Sequence, residues 1–350
     1  MRVLRNLALM LVALGLAVAL GEIGLRAMGF SFEPTLENVE FGWPNIEVRR
    51  TRYASDPDLF WVSHDYAERL AALADGRPDL VFLGDSCTEW GRWPRLLVAR
   101  LEREHPRARL RTAVLGTAGW STHQGLAQLR RDVLPLRPRA ITLWFGWNDH
   151  WRGMGVDDAS VAEISRERPE WLRGLRWDQL WRKSRLAWRR ARQGGSSERV
   201  PPADFRRNLE QMVRLALRAE SVPVIVTAPS DHEIGAEPAR LSPRWIEDLS
   251  RLVPLHQQYV GIAREVAAHE GALLCDLAQR FDSLPPAQRH ASFAVDGIHL
   301  TLAGDRRAAM WLRECFEASS ALRALWTPPS EEEALQSQPA GAKLRAHDRE

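Results

Sequence analysis

Short apolar runs alternate with longer amphipathic segments from residue 79 to about residue 316, and this alternation restricts the fold more than any other feature. The runs are continuously apolar and end in Gly, Asp or Ser, which is typical of strands buried on both faces of a parallel sheet. The alternation therefore predicts an α/β protein, a three-layer α/β/α sandwich whose ligands bind at the carboxyl ends of a mainly parallel sheet. The predicted strands are residues 80–84, 110–115, 140–145, 222–228 and 272–277, and the predicted helices are residues 122–133, 205–220, 252–270 and 302–316.

The N-terminus carries an apolar segment that follows positive charge. Two arginines precede an unbroken apolar run over residues 7–20, the order found in secretory signals and signal anchors. The apolar pattern continues beyond this run with Glu22 as its interruption, so the favoured interpretation is an uncleaved, single-pass anchor over residues 1–29. Ala17-Val18-Ala19 resembles a cleavage site, and cleavage there predicts a secreted protein instead. In the anchored form we expect the remaining chain on the periplasmic side of the cytoplasmic membrane.

Composition separates three further regions. Residues 30–75 contain three prolines and no obvious chemical motif, and we interpret them as a spacer and N-terminal extension. Residues 76–327 carry the strand and helix alternation and form the predicted main domain. Residues 328–350 are rich in Pro, Glu, Gln, Ser and Gly, which predicts a disordered tail.

One insertion within the main domain, residues 152–203, does not follow the alternation. Between Arg166 and Arg199 it has eleven Lys or Arg against four acidic residues. A basic helix that carries tryptophans fits the surface of an anionic membrane, because indole rings sit at the headgroup level and cations meet phosphate. The alternative interpretation is that the tryptophans pack on the main domain while the arginines are merely solvated. The interleaved tryptophans are Trp171, Trp177, Trp181 and Trp188.

The overall charge and the cysteines limit the possible partners. The formal net charge is +3, from 48 basic and 45 acidic residues, so composition gives no reason to expect a nucleic-acid partner. Cys87, Cys275 and Cys315 lack the spacing of a zinc site. The favoured interpretation is that they are buried thiols, with a Cys275–Cys315 disulfide as the alternative. We expect no metal and no cofactor, and the sequence does not indicate an oligomeric state.

Three short motifs place residues typical of catalysis where a sheet would bring them together. Gly84-Asp85-Ser86 directly follows the first predicted strand, and Gly146-Trp147-Asn148-Asp149 follows the third. Asp296-Gly297-Ile298-His299 lies near the C-terminus. Because the carboxyl ends of parallel strands share one edge of a sheet, we expect these motifs to form one site.

The residue types in these motifs suit nucleophilic catalysis. The Ser86 hydroxyl needs a base to remove its proton as the oxygen attacks a carbonyl, and the neutral imidazole of His299 can act as that base. Asp296, three residues earlier, can hold the other ring nitrogen and stabilise the imidazolium. The three residues are therefore the candidate catalytic triad.

With a glycine in the segment 115–122, the motifs resemble the conserved blocks of the SGNH (GDSL) hydrolase family, and the likeness spans about residues 79–317. The resemblance implies a flavodoxin-like fold and a serine esterase that uses no cofactor. It also implies an oxyanion hole formed by the backbone N–H groups of Ser86 and Gly119 and by the side-chain amide of Asn148.

The chain departs from this resemblance at one position. Many SGNH relatives have an asparagine five positions before the glycine of the second block, where this chain has Val114. Gly116 is therefore an alternative to Gly119 as the backbone donor. Gly119 is preferred because Gly-Trp-Ser-Thr matches the usual end of that block.

Several tryptophans adjoin the motifs, and they suggest an aromatic rim around the substrate. Trp90, Trp120 and Trp147 are the candidate substrate-binding residues, since indole rings suit the apolar face of a sugar or an acyl chain. The alternative interpretation is that they fill the core under long loops.

The sequence therefore predicts an enzyme that hydrolyses an O-acyl ester of a cell-envelope glycan, lipid or related small molecule through an acyl-serine intermediate. An O-acyltransferase that uses the same triad is one alternative, because pocket shape rather than the triad selects the acceptor. A catalytically silent envelope scaffold is another. The chain lacks the Gly-x-Ser-x-Gly elbow of α/β-hydrolases around Ser86, which argues against that fold.

Overall fold

A five-stranded, all-parallel sheet forms the centre of the protein. The structure is a computed structural model that describes residues 2–32, 51–153, 155–166, 169–192, 198–242 and 245–327. The strands are β1 (Tyr53–Asp56), β2 (Phe60–Ser63), β3 (Leu80–Gly84), β4 (Thr112–Val114), β5 (Ala140–Trp144), β6 (Val222–Val226) and β7 (Leu273–Cys275). The order β4-β3-β5-β6-β7 is the flavodoxin-like order, and β1 pairs with β2 as a separate antiparallel hairpin.

Helices connect the strands of the sheet and flank it. They are α1 (Arg2–Ala27), α2 (Tyr66–Ala71), α3 (Ser86–Glu89), α4 (Trp93–Glu104), α5 (Thr122–Gln128), α6 (Asp158–Arg166), α7 (Glu170–Arg173), α8 (Arg176–Arg192), α9 (Pro202–Arg218), α10 (Leu252–Glu270), α11 (Leu277–Asp282), α12 (Pro286–Ser292), α13 (Leu302–Ala318) and α14 (Ser320–Arg323). Single 3-10 turns cover Leu134–Leu136, Ala239–Leu241 and Leu249–Arg251. Helix α9 packs on α5 and α10, whereas α4 packs on α13. Because connections between parallel strands are almost always right-handed, we expect these two groups on opposite faces of the sheet.

The predicted α/β/α sandwich is confirmed. In register, Leu80 of β3 lies beside Thr112 of β4 and Ala140 of β5, and every residue of β3 and β5 is buried, as their continuous hydrophobicity predicts. Residues 122–133 do not form the single α-helix that was predicted. Helix α5 ends at Gln128 and continues into a π-helical turn over Leu129–Val133.

Much of the segment interpreted as a spacer is part of the folded domain. The hairpin β1–β2 and helix α2 lie within residues 30–75, and Phe60 and Trp61 are buried there. The Trp61 indole donates to the Ala118 carbonyl (2.9 Å), while the Trp120 indole donates to the Trp61 carbonyl (2.9 Å). The spacer interpretation is therefore wrong for residues 53–75, whose large side chains cover the loop that follows β4. Residues 33–50 of the interpreted spacer and the whole tail 328–350 lie outside the described residues.

The insertion also has a buried part. Val161, Ile164 and Leu186 pack with the β1–β2 hairpin and Trp120 in a second hydrophobic cluster beside the main core. Many of its arginines are paired rather than solvated: Arg182 with Asp178, Arg185 and Arg189 with Glu163, and Arg199 with Asp158. Its four tryptophans, by contrast, are 40 to 71% exposed. The alternative interpretation, in which the tryptophans are packed and the arginines solvated, is therefore wrong: the tryptophans are exposed and many of the arginines are paired.

Helix α1 docks on helix α8 through the acidic residue that interrupts its apolar sequence. The Glu22 carboxylate accepts the backbone N–H groups of Arg176 (3.0 Å) and Trp177 (3.2 Å), which belong to the first turn of α8. The Trp177 indole donates to the Val18 carbonyl (2.7 Å) and lies over Gly21. Glu22 thereby caps α8 in trans, since the N–H groups of a first turn have no partner within their own helix.

Helix α1 is the one described helix that is long and apolar enough to cross a bilayer. At 1.5 Å per residue its 26 residues extend about 39 Å, compared with the roughly 30 Å of a hydrocarbon core. None of its residues is buried in the protein. A helix of this length and composition at the N-terminus is typical of a membrane anchor or a signal sequence.

The cysteines depart from the favoured interpretation. Cys275 at the end of β7 and Cys315 on α13 form a disulfide with their Cα atoms 5.8 Å apart, and Cys87 is a buried free thiol. The interpretation that all three are thiols is therefore wrong. It failed because the two partners are 40 residues apart in sequence, and only the packing of α13 beside β7 brings them together.

We expect the Cys275→Ser/Cys315→Ser double variant to lower the free energy of unfolding by about 2–4 kcal/mol, because the crosslink restricts the unfolded chain. Urea denaturation of the purified protein measures the change. As a control, alkylation in denaturant without reductant should modify one cysteine of the wild type. Modification of all three cysteines would contradict the bond.

Candidate active site

Ser86 lies at the carboxyl end of β3, where the strand turns directly into the short helix α3. Asp85 caps that helix, and its carboxylate accepts the backbone N–H of Cys87 (2.8 Å). Asp85 is fully buried, and this burial raises its pKa to about 6 even though the Cys87 N–H and the nearby His299 lower it. The turn holds the Ser86 hydroxyl at the edge of the sheet, where it is partly exposed.

Three predicted residues form a continuous chain of hydrogen bonds. Ser86 Oγ lies 2.8 Å from His299 Nε2, and His299 Nδ1 lies 2.6 Å from Asp296 Oδ2. An ionised carboxylate can only accept, so the imidazole proton belongs on Nδ1 and Nε2 accepts from the serine hydroxyl. The structure therefore brings together residues 213 positions apart in a geometry that suits removal of a proton from Ser86.

The loop that carries Asp296 and His299 is held from two sides. The second carboxylate oxygen of Asp296 accepts the N–H groups of Ile298 (2.9 Å) and His299 (3.0 Å). Burial alone raises the pKa of Asp296, but the hydrogen bond and charge of His299 outweigh it and lower that pKa to about 2. Asp296 is thus ionised at neutral pH. The His232 ring lies 2.8 Å from the Asp296 carbonyl oxygen and so close to Gly297, at φ +71°, that a side chain there would collide with it.

Two backbone N–H groups are available beside the serine. Among the described residues, neither the Ser86 N–H nor the Gly119 N–H has a protein acceptor. Gly119 has φ +80°, a left-handed conformation that glycine adopts without strain and that shapes the loop after β4. The next residue, Trp120, accepts a hydrogen bond from Asn148 through its carbonyl (3.0 Å). This contact places the Gly119 turn next to Asn148 and favours Gly119 over Gly116 as the donor.

The Asn148 side chain lies between the Ser86 turn and the Gly119 loop. Its amide nitrogen donates to the Trp120 carbonyl (3.0 Å) and to the Asp85 carboxylate (3.2 Å). The residue is buried, and it lies in the turn that follows β5. The Asn148 side chain therefore connects its own turn, after β5, with the Ser86 turn after β3 and with the Gly119 loop after β4.

Sequence reasoning missed Glu89, which joins the N-terminal hairpin to the site. One Glu89 oxygen accepts the Tyr53 hydroxyl (2.8 Å) and the Ala118 N–H (2.7 Å). Burial raises the pKa of Glu89, and the Ala118 N–H and the Tyr53 hydroxyl lower it. Glu89 is on α3 with Ser86, so it ties the nucleophile's helix to the Gly119 loop. Its position three residues after Ser86 was the available signal, but its partners are distant in sequence.

Sequence reasoning also missed the clamp that the insertion supplies. Arg199 forms a buried, bidentate pair with Asp158 (2.9 and 3.1 Å) and donates to the Gly119 carbonyl (2.6 Å). Asp158 also accepts the Ser121 hydroxyl (2.7 Å). The two ends of the insertion thereby hold the loop that carries Gly119. In the sequence the insertion shows an excess of positive charge, but this excess does not distinguish Arg199 from the other arginines.

The three candidate tryptophans separate into two environments. The Trp90 ring is 47% exposed and lies 5.2 Å from the His299 ring, so it belongs to the rim of the site. Trp120 is fully buried against the hairpin, and Trp147 is buried with its ring stacked 3.9 Å from that of His256. The expectation that Trp120 and Trp147 bind substrate is therefore wrong, because both rings are enclosed by the core and have no surface to offer.

Asp149 organises the loop without facing the catalytic residues. Its Oδ1 accepts both the backbone N–H (2.8 Å) and the hydroxyl (2.5 Å) of Thr122, the first residue of α5. Burial raises the pKa of Asp149 to about 7, although the bonds from Thr122 lower it. The second oxygen of this carboxyl has no partner among the described residues.

This shift makes the stability of the protein depend on pH. Below about pH 4 the Asp149 carboxyl is protonated in both states and contributes nothing. As the pH rises to about 7, the unfolded chain loses a proton that the folded protein keeps, so the free energy of unfolding falls by up to about 1.4 kcal/mol per pH unit. Asp149→Asn should remove this slope, because an amide retains the oxygen that Thr122 uses and does not ionise.

Urea denaturation at pH 4.5, 5.5, 6.5 and 7.5 tests this expectation, with the exposed Asp75→Asn variant as the control. The stability of Asp149→Asn relative to the wild type should rise across the series. A difference that stays constant with pH would contradict the assignment.

Comparisons with known proteins agree with the motifs. The model of the GDSL-like lipase/acylhydrolase family matches residues 82–307, which is well over half of the chain. No curated protein sequence matches. Similar solved structures include a lipase/acylhydrolase from Enterococcus faecalis, at 19% identity and TM-score 0.45, covering 69% of this chain and 96% of that one. Another is an acetylxylan esterase from Geobacillus stearothermophilus, at 17% identity and TM-score 0.42, covering 72% of this chain and 96% of that one.

These structural likenesses are distant, and the family match carries the assignment. It spans the segment from β3 to α13, which contains the Ser86, Gly119, Asn148 and Asp296 motifs. The chain belongs to the GDSL-like lipase/acylhydrolase family, whose members are ester-hydrolysing enzymes.

Proposed function

We propose that this protein is a serine esterase that removes an O-acyl group from a cell-envelope substrate through an acyl-Ser86 intermediate. The observation that carries the proposal is the chain Ser86 Oγ to His299 Nε2 (2.8 Å) and His299 Nδ1 to Asp296 (2.6 Å). No side chain needs to move for the serine proton to pass to the imidazole.

In the first step, Ser86 Oγ attacks the ester carbonyl carbon while His299 Nε2 takes the serine proton. The Asp296 carboxylate stabilises the imidazolium that results. His299 then protonates the leaving alcohol oxygen as the carbon–oxygen bond breaks, which leaves the acyl group on Ser86. In the second step His299 removes a proton from water, water attacks the acyl carbon, and the proton returns to Ser86 as the acid departs.

The tetrahedral intermediates place negative charge on the former carbonyl oxygen. The N–H groups of Ser86 and Gly119 serve as two donors for it, since neither has an acceptor among the described residues. The Asn148 amide is the third. Its contact with Asp85, at 3.2 Å the longer of its two, is the one exchanged for the oxyanion.

Replacing Asn148 with Ala should lower kcat about a hundredfold or more, because one oxyanion donor is commonly worth about 3 kcal/mol of transition-state stabilisation. Hydrolysis of p-nitrophenyl acetate measures the change, and circular dichroism reports the fold. Asn208→Ala is the matched control, because it also removes an amide donor, to Thr122, but outside the site. Turnover of Asn148→Ala within threefold of the wild type would refute the assignment.

Labelling with a fluorophosphonate probe tests the nucleophile itself. The wild type should be labelled, whereas Ser86→Ala should not, because only an activated serine attacks the phosphorus centre. Absence of labelling in the wild type would favour a silent scaffold. Supplying an acyl donor with and without a glycan acceptor then separates an esterase, which releases free acid, from an O-acyltransferase, which acylates the glycan.

We propose that the enzyme is anchored by α1 with its catalytic domain on the periplasmic side, and that α8 lies on the same membrane surface. Trp177, Trp181 and Trp188 are spaced by four and seven residues, which places them within about 40° of each other on one helix face. The buried residues of α8, such as Arg182 and Leu186, lie on the opposite face.

The contact between α8 and α1 determines the depth in the membrane at which the tryptophan face of α8 lies. Trp177 reaches the Val18 carbonyl and Glu22 caps α8, so the tryptophan face begins where the apolar sequence of α1 ends. The guanidinium groups of Arg185 and Arg192 lie over the rings of Trp181 (5.0 Å) and Trp188 (4.6 Å), so cationic groups lie beside the indoles. Indole rings flanked by cations suit the headgroup region of an anionic bilayer.

A spin label at Trp188→Cys, in the full chain reconstituted in vesicles of phosphatidylcholine and phosphatidylglycerol, should be more accessible to oxygen than to an aqueous nickel complex. Leu217→Cys, an exposed position on α9, is the control and should favour the nickel complex. Equal aqueous accessibility at both positions would contradict the membrane contact.

A further inference from the structure

A groove rich in arginine adjoins the catalytic residues, and the mechanism does not use it. It has a volume of about 930 Å³, which is large enough for several sugar rings. We call it the arginine groove. It lies between the β1–β2 hairpin, the edge strand β4 and the start of α4, and its charged lining consists of Arg52, Arg69, Arg92, Arg95, Arg111, Asp65 and Glu89.

The two carboxylates of the groove are already engaged. Glu89 is mostly buried and accepts from the Tyr53 hydroxyl and the Ala118 N–H. Asp65 pairs with Arg69 (3.2 Å), which also donates to the Val114 carbonyl (2.8 Å). The carboxylates therefore do not neutralise the remaining arginines.

The other arginines divide into one that supports the wall and three that face solvent. The Arg111 guanidinium donates to the carbonyls of Ala72 and Asp75, which fixes it in the wall. Arg52, Arg92 and Arg95 are exposed, and within the described ranges none has a carboxylate within 4 Å. Among the described residues, the groove thus presents guanidinium groups that form no salt bridge, with the Asp305 charge acting on Arg92 from a longer distance. Guanidinium groups bind carboxylates in a planar, bidentate manner.

Trp90 connects the groove to the catalytic residues. Its indole lines the groove, and the same ring lies 5.2 Å from the ring of His299. It follows Glu89 at the end of the helix that begins with Ser86. A chain that occupies the groove and stacks on Trp90 would therefore present its next unit beside the nucleophile.

We infer that the arginine groove binds an acidic glycan, a carboxylate-bearing oligosaccharide whose O-acyl ester is cleaved at Ser86, and this inference rests on the proposed esterase function. The guanidinium groups take the carboxylates of the sugar rings, and Trp90 takes the apolar face of the ring next to the ester. Five of the eighteen lining residues are arginines, which suits an acidic sugar chain better than a long acyl chain.

Binding is tested apart from catalysis by calorimetric titration of Ser86→Ala with oligogalacturonate that carries no acyl group. In that background, Arg92→Gln/Arg95→Gln should weaken the Kd about tenfold or more. Arg103→Gln, on the same helix but outside the groove, should leave the Kd unchanged. Oligoxylose, which is neutral, should bind weakly to every variant. Equal affinity of Ser86→Ala for both glycans, or no loss in the double variant, would overturn the inference.

Hydrolysis of acetylated glycans provides a second test of the inference. O-acetylated oligogalacturonate should be hydrolysed by the wild type with a lower KM than O-acetylated oligoxylose, and sodium chloride should raise that KM because it screens the arginines. Arg92→Gln/Arg95→Gln should raise the KM for the acidic substrate about tenfold, with a smaller effect on kcat. An unchanged KM would overturn the inference. If the wild type also fails to hydrolyse p-nitrophenyl acetate, the esterase function itself is wrong, and the titration still decides whether the groove binds acidic glycan.

Discussion

The parallel direction of the five central strands is the constraint on which the site depends. Because all carboxyl ends meet at one edge, the turns after β3 and β5 and the loop after β4 converge without long connections. The order β4-β3-β5 puts the Ser86 turn in the middle, with the Gly119 loop on one side and Asn148 on the other. The loop before α13 then brings His299 across to Ser86.

The sheet alone does not hold this arrangement, and two peripheral regions complete it. Glu89 binds the Gly119 loop and the N-terminal hairpin, whereas Arg199 and Asp158 bind the same loop to the insertion. A buried charge pair contributes little net stability, because desolvation opposes the attraction, but losing one partner is costly. Such pairs therefore suit a loop whose conformation is fixed in advance.

The contact of α1 with α8 connects the apolar N-terminal helix to the insertion that holds the Gly119 loop. Glu22 would be costly in the middle of an apolar helix in a bilayer, but here it lies near the end and caps another helix. The insertion thus contacts the Gly119 loop through Asp158 and Arg199, near its two ends, and the N-terminal helix through Trp177, in its middle. One region of the chain joins the candidate active site to the candidate anchor.

The sequence by itself determined the fold class, the family and the candidate site residues Ser86, Asn148, Asp296 and His299, because hydrophobic periodicity and motif spacing are local properties of the chain. Tertiary structure alone decided which tryptophans meet solvent, since indoles at Trp90 and Trp120 look alike in sequence but only one is enclosed by the hairpin. It likewise decided the Cys275–Cys315 bond, the folded state of residues 53–75 and the roles of Glu89 and Arg199. Each of these depends on contacts between segments tens of residues apart, and such contacts leave no periodicity or spacing in a single sequence.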